Sequence, residues 1–207
     1  MGEQNPILFH DGRWHLLPLR HVRYFIPWDL RQEPHYLRMA NRWMKAARRA
    51  RTIPLVAITQ SEVRGRTRYL PPLRQYRAAV HWIMGRYHWV REWTPWNEAN
   101  LTNQATYRNP ARAVAYWRTT RRVCGRHCTV TSPSLVGYAK GQPRWMRRFL
   151  HAARGMHGPW ALHLYNDVNE LRPYATQRFE RQLRGPIWVT EVGGWVHFAG
   201  YRYNITR

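Results

Sequence analysis

Only eleven of the 207 residues are carboxylates, so the position of each carries information. Asp29, Glu98 and Glu191 stand at or just beyond the C-terminal ends of apolar runs that read as strands, HVRYFIP, HWVREWTP and PIWVTE, and His163 and Tyr165 lie near the end of another, WALHLY. Side chains that leave the same ends of neighbouring parallel strands converge on one face although they are distant in sequence. Two glutamates placed in this way, one donating a proton and one attacking as the anion, meet the requirement for breaking an acetal C–O bond with retained configuration. That chemistry needs the carboxyls roughly 5 to 5.5 Å apart.

The flanking residues add detail. In Trp93-Thr94-Pro95-Trp96-Asn97-Glu98-Ala99-Asn100 the Asn97 amide can bond a sugar hydroxyl beside the acid Glu98, and Trp93 and Trp96 offer flat apolar faces for sugar rings. The same residues also have a purely structural reading, with the tryptophans as core and Asn97-Glu98 as a helix cap. Glu191 ends the buried-type strand Ile187-Trp188-Val189-Thr190 and precedes Val192-Gly193-Gly194-Trp195. Its structural alternative is an ion pair with one of the many arginines.

The elements that must hold these groups alternate. Strands at His21–Pro27, Ile53–Thr59, His88–Pro95, Thr129–Thr131, Trp160–Tyr165 and Pro186–Glu191 are separated by helices expected over 34–51, 72–85, 109–123, 142–153 and 175–183. Repeated βα units predict a parallel sheet. A doubly wound sheet would carry a Gly-rich phosphate turn after its first strand, and here Trp28-Asp29 stands there instead, which favours a (β/α)8 barrel.

Length and composition bound the rest. The chain suits one domain, 1–207. The net charge of +23 comes almost wholly from arginine, only Lys45 and Lys140 being lysines, and it is spread along the chain rather than gathered into an arm. A GC-rich genome produces that bias through its codons, so no specific nucleic-acid partner is expected. No run approaches the roughly 20 apolar residues of a membrane span, and Met1 to Pro6 lacks a signal-peptide pattern. Cys124 and Cys128 with His127 lack the second ligand pair of a zinc site, so no metal or other cofactor is expected. The cysteines fit either a short disulfide or two free thiols.

Asn97-Glu98 after one strand and Thr190-Glu191 with Gly193 after another resemble the acid/base and nucleophile signatures of the (β/α)8 glycoside hydrolases of clan A. The likeness is nearest to actinobacterial glycosyl hydrolase-like proteins with VR-x-x-x-PWD, TPWNEAN, YRNP, LH-x-Y-x-D and TE-x-GG segments. The resemblance implies a retaining glycosidase acting on a β-linked oligosaccharide or polysaccharide, with Glu98 as acid/base and Glu191 as nucleophile. It makes Arg23 the arginine near the nucleophile and His163 and Tyr165 the residues that orient it, with Asn97, Asp29, Trp93, Trp96 and Trp195 on the substrate. It is also compatible with secretion. Counting strands from the two glutamates leaves strand one only the residues around Gly2 to Asn5 and leaves no strand eight, against about 250 residues in a typical barrel. The barrel is therefore expected to be incomplete, with an open edge through which copies self-associate. A barrel remnant that binds carbohydrate without cleaving it, or an arginine-rich polyanion binder, are the competing readings.

Overall fold

The computed structural model describes residues 4–137, 141–194, 197–198 and 201–202. Two 3-10 turns, Pro6–His10 and Gly12–Leu16, lead into strand β1 (His21–Pro27). The chain then runs through α1 (Pro34–Arg49), β2 (Ile53–Thr59), α2 (Leu73–Arg86), β3 (Glu92–Thr94), α3 (Pro110–Cys124), β4 (Thr129–Val130), β5 (Leu135–Val136), α4 (Gln142–Ala152), β6 (Trp160–His163), α5 (Tyr165–Asn169), α6 (Tyr174–Gln182) and β7 (Ile187–Glu191), and a small hairpin, β8 (His197–Phe198) with β9 (Tyr201–Arg202). The predicted alternation is present, with the third strand shortened to three residues and Tyr165 moved from a strand end to a helix start.

Local chemistry sets these boundaries. Helix α1 begins with Pro34 in its first turn, buries Ala40, Trp43, Met44 and Ala47 at helical spacing, and ends with Arg48 and Arg49 at its negative pole. Helix α3 is capped by Asn109, whose Oδ1 accepts from the Arg112 N–H, and stops at Gly125, whose φ of 63° suits glycine. Cys124 and Cys128 are joined as a disulfide across the turn into β4, with Cα atoms 5.9 Å apart. Along β1, Val22, Tyr24 and Ile26 face the helices, where Tyr24 stacks on Trp43 at 4.5 Å, and Arg23 points the other way.

Strands β1-β2-β3-β4 and β5-β6-β7 form two parallel sheets. The link between them is continuous. Thr131 N–H donates to Trp93 O (2.9 Å) and Ser134 N–H to Trp96 O (2.9 Å). On the other side Ser132 N–H donates to Pro159 O (2.8 Å), and Ser132 Oγ accepts from Ala161 N–H (3.0 Å). Residues 129–136 thus act as one kinked strand position joining β3 to β6. This succession fits a TIM-like barrel, with helices outside and strand C-terminal ends sharing one face.

Among the described residues no strand pairs β7 with β1. A cavity of about 450 Å³ lined by His21, Arg23, Leu55, Glu92, Trp188 and Thr190 lies between β1–β3 and β7. The strand expected around Gly2 to Asn5 lies partly outside the described residues. Gln4 and Asn5 are not strand: the Gln4 side-chain oxygen accepts from Phe25 N–H, and Asn5 caps the first 3-10 turn. No described helix is long and apolar enough to cross a membrane.

Candidate active site

The ends of β3, β6 and β7, with Arg23 from within β1, bring six of the sequence-derived residues together. Glu98 follows β3 in a backbone conformation that non-glycine residues seldom adopt, φ 48°. The loop around it is over-determined, which is how such a residue is held. Asn97 N–H donates to Ile58 O (2.8 Å), Glu98 N–H to Ser134 Oγ (2.8 Å) and Ala99 N–H to Ser134 O (2.9 Å). The Asn100 amide exchanges two 2.8 Å hydrogen bonds with the backbone of Val136, and Thr106 Oγ1 donates to Ala99 O (2.9 Å).

Glu191 reaches the site through a bulge. Leu162 pairs with Val189 and His163 with Glu191, so Thr190 is the extra residue of β7. Without it, Thr190 would stand opposite His163 and the glutamate would point to the other face. Thr190 Oγ1 holds the bulge by donating to Leu162 O at 3.3 Å.

The two carboxyls have different neighbours. Glu191 Oε1 accepts from the Arg23 guanidinium, and its Oε2 accepts from Tyr165 OH at 2.7 Å. The other terminal nitrogen of Arg23 donates to Asn97 Oδ1 at 2.6 Å, and Ser134 Oγ donates to the same oxygen at 3.2 Å. Arg23 is buried, and that burial pulls its pKa down to about 10 against the raising effects of Glu98 and Tyr165, which leaves it a cation at neutral pH. Glu98 Oε1 lies 3.0 Å from Nδ1 of His163, which is also 3.4 Å from Glu191 Oε2. The Glu98 contact is a hydrogen bond rather than an ion pair, because the imidazole is uncharged. Full burial, aided by the nearby Arg23 charge, pulls the His163 pKa down to about 4 although the Glu98 hydrogen bond and charge oppose it. The imidazole is neutral at physiological pH, and its Nδ1–H tautomer donates to Glu98.

Glu98, His163 and Glu191 each offer an atom within 4.8 Å of the other two, so a carboxylate oxygen of Glu98 lies within 4.8 Å of one of Glu191. The same three residues are the group able to ligate a metal among the described residues. The Arg23 cation already bound to Glu191 and Asn97 opposes a second positive charge there.

Three other sequence expectations come out differently. Trp93 and Trp96 are 1% and 0% exposed, so neither offers a ring face to a sugar. Trp96 stacks on Tyr116 at 5.1 Å and donates from Nε1 to Gln104, and Trp93 donates to Val90 O. Trp93 falls on the helix-facing side of β3, and Trp96, in the loop that follows, turns back against Tyr76 of α2 and Tyr116 of α3. Asp29 is also buried, but its neighbours are Trp28 and Arg66, outside the glutamate cluster. Trp195 lies outside the described residues. In the LH-x-Y-x-D segment, Asp167 accepts from the Ala175 and Thr176 backbone N–H groups and so anchors the start of α6.

The sequence reading missed Ser134. It serves the site by accepting from the Glu98 backbone while donating to Asn97. Its signal was slight: a small hydroxyl residue in Thr131-Ser132-Pro133-Ser134, where a strand should end.

Comparison with known proteins gives a consistent picture. A family model described as "Glycosyl hydrolase catalytic core" matches residues 78–203, more than half of the chain and inclusive of both glutamates. No curated protein sequence matches. Among solved structures, the chain is similar to the apo form of a beta-glucosidase designated 1317, at 13% identity and TM-score 0.57, covering 84% of this chain and 64% of that one. It is also similar to a GH128 (subgroup II) endo-beta-1,3-glucanase from Pseudomonas viridiflava, at 17% identity and TM-score 0.49, covering 86% and 64%. The chain thus spans just under two thirds of the length of these neighbours.

Proposed function

We propose, from the premise that the chain belongs to the glycosyl hydrolase catalytic core family, that it is a retaining glycoside hydrolase of a β-linked glycan, with Glu191 as nucleophile and Glu98 as acid/base. The observation that carries this reading is the facing pair of carboxyls with unlike partners. Their oxygens approach within 4.8 Å, and the retaining mechanism works at roughly 5 to 5.5 Å between carboxyls, whereas inversion needs room for a water and roughly 6.5 to 9.5 Å.

The partners assign the roles. A guanidinium and a phenol hydroxyl both favour negative charge on Glu191, which suits an attacking carboxylate. The hydrogen-bond partner of Glu98 is instead the neutral imidazole of His163, while the Arg23 guanidinium is held on Glu191 and Asn97, so the proton-transfer role falls to Glu98. In the first step Glu191 forms a bond to the anomeric carbon as the C–O bond to the leaving group breaks, and Glu98 gives its proton to the departing oxygen. In the second, Glu98 takes a proton from water, the water oxygen bonds to the same carbon, and Glu191 leaves as carboxylate. Two inversions return the β configuration.

Among the described residues no strand joins β1 to β7, and Arg23 links the two through Glu191. Proton NMR of early time points with a β-glycoside it cleaves tests the mechanism. The β-anomer of the product sugar is expected first, with the α-anomer growing in by mutarotation; initial release of the α-anomer overturns retention.

A further inference from the structure

Asp29 is the one carboxylate among the described residues whose side chain is fully buried, and both its oxygens lack a hydrogen-bond partner. The indole N–H of the adjacent Trp28 is buried and unpartnered too. Burying such groups unpaired is costly, most of all for a charge, so a set of two acceptors and one donor in consecutive residues calls for an explanation.

Both residues line a cavity of about 400 Å³ whose walls include Arg31, Arg66, Tyr69 and Trp82. Arg66 lies across it, 5.8 Å from the Trp28 ring and 5.7 Å from the Tyr69 ring. Its guanidinium stands 3.7 Å from Asp29, an ion pair too long to be a hydrogen bond. Arg66 is therefore a loose cover over the carboxylate, with its side chain 40% exposed.

We propose that this cavity is a second carbohydrate site, which holds a pyranose ring by vicinal hydroxyls on Asp29. A hydroxyl is donor and acceptor at once, so two of them satisfy the Asp29 oxygens and accept from the Trp28 indole, while the apolar ring face rests on Tyr69 or Trp82. A simple cation suits the carboxylate less well, since Arg31 and Arg66 already line the cavity. Trp28-Asp29 follow β1 and Arg66 and Tyr69 lie in the loop after β2, as Glu98 follows β3, while Ala78, Ala79 and Trp82 of α2 complete the cavity wall. The inference rests on the glycan reading and extends it to substrates of several sugar units.

Titration calorimetry with β-1,3- and β-1,4-linked glucohexaoses, on a Glu98→Gln host that cannot turn them over, tests this. At least one hexaose is expected to bind, and adding Asp29→Asn or Tyr69→Ala should weaken it 10-fold or more. Tyr69 is well exposed, so its truncation keeps the result interpretable if Asp29→Asn misfolds. Unchanged affinity in Tyr69→Ala and in folded Asp29→Asn, binding of neither hexaose, or Asp29-dependent binding of methylammonium in place of the sugars overturns the inference. Asp29-dependent hexaose binding by a wild-type protein that cleaves no glycoside preserves the second site and defeats the hydrolase reading. Normal hydrolysis with no Asp29 dependence does the reverse.

Discussion

Glu191→Ala is expected to lower kcat/KM by on the order of 10⁴-fold or more, about 5 kcal/mol of transition-state stabilisation, because the covalent route is removed. The surroundings of Glu191 sharpen the expectation. Its removal leaves the buried Arg23 cation and the Tyr165 hydroxyl facing an empty, anion-sized space. Added azide should enter that space, attack the anomeric carbon from the face Glu191 used, and restore turnover of an activated aryl β-glycoside with an α-glycosyl azide as product. Glu191→Gln, which keeps the shape and an acceptor for Arg23, serves as the folding control. Turnover within 10-fold of wild type in both variants contradicts the nucleophile assignment.

Glu98→Ala has a different signature, because a general acid matters in proportion to how much help the leaving group needs. On a sugar leaving group the loss should be roughly 10² to 10⁴-fold, the usual worth of positioned acid–base catalysis. On a dinitrophenyl glycoside the first step needs no acid, so bond cleavage stays fast and the second step, robbed of its base, becomes limiting. A burst of phenolate followed by slow turnover is expected, and azide should accelerate the second phase to give a β-glycosyl azide. His163 is a poor substitute, since burial lowers its pKa to about 4, which leaves it no imidazolium proton to give at working pH and makes it a weak base. Equal losses on both substrates, with no burst, contradict the acid/base assignment.

Much of the site was legible because the information is local. A strand is a run of buried-type residues, and its C-terminal end is where a parallel barrel presents function, so Glu98, Glu191, His163 and Tyr165 could be placed without coordinates, and the family resemblance added Arg23. The element boundaries followed from caps such as Asn109-Pro110 and from apolar spacing such as Ala40, Trp43, Met44 and Ala47.

What escaped is non-local. Trp93 and Trp96 have the composition of sugar platforms, and only the direction of β3 against α2 and α3 shows that they belong to the core. Ser134 acts on Glu98 and Asn97 from more than 30 residues away, which no spacing rule announces. The Thr190 bulge exists only in the register between β6 and β7, yet it decides which face Glu191 occupies. Asp29 looked like a member of the glutamate cluster because it too follows a strand; in three dimensions it turns into its own cavity beneath Arg66.

The central claim is that Glu191 becomes covalently glycosylated during turnover. Incubating the wild-type protein with a 2-deoxy-2-fluoro β-glycoside carrying a dinitrophenyl leaving group, then mapping the labelled peptide by mass spectrometry, tests it most directly. The fluorine slows both steps and the activated leaving group spares the first, so the intermediate accumulates. One fluoroglycosyl unit on the peptide containing Glu191 is the predicted result; a label on Glu98, or stoichiometric dinitrophenolate release with Glu191 unmodified, contradicts it.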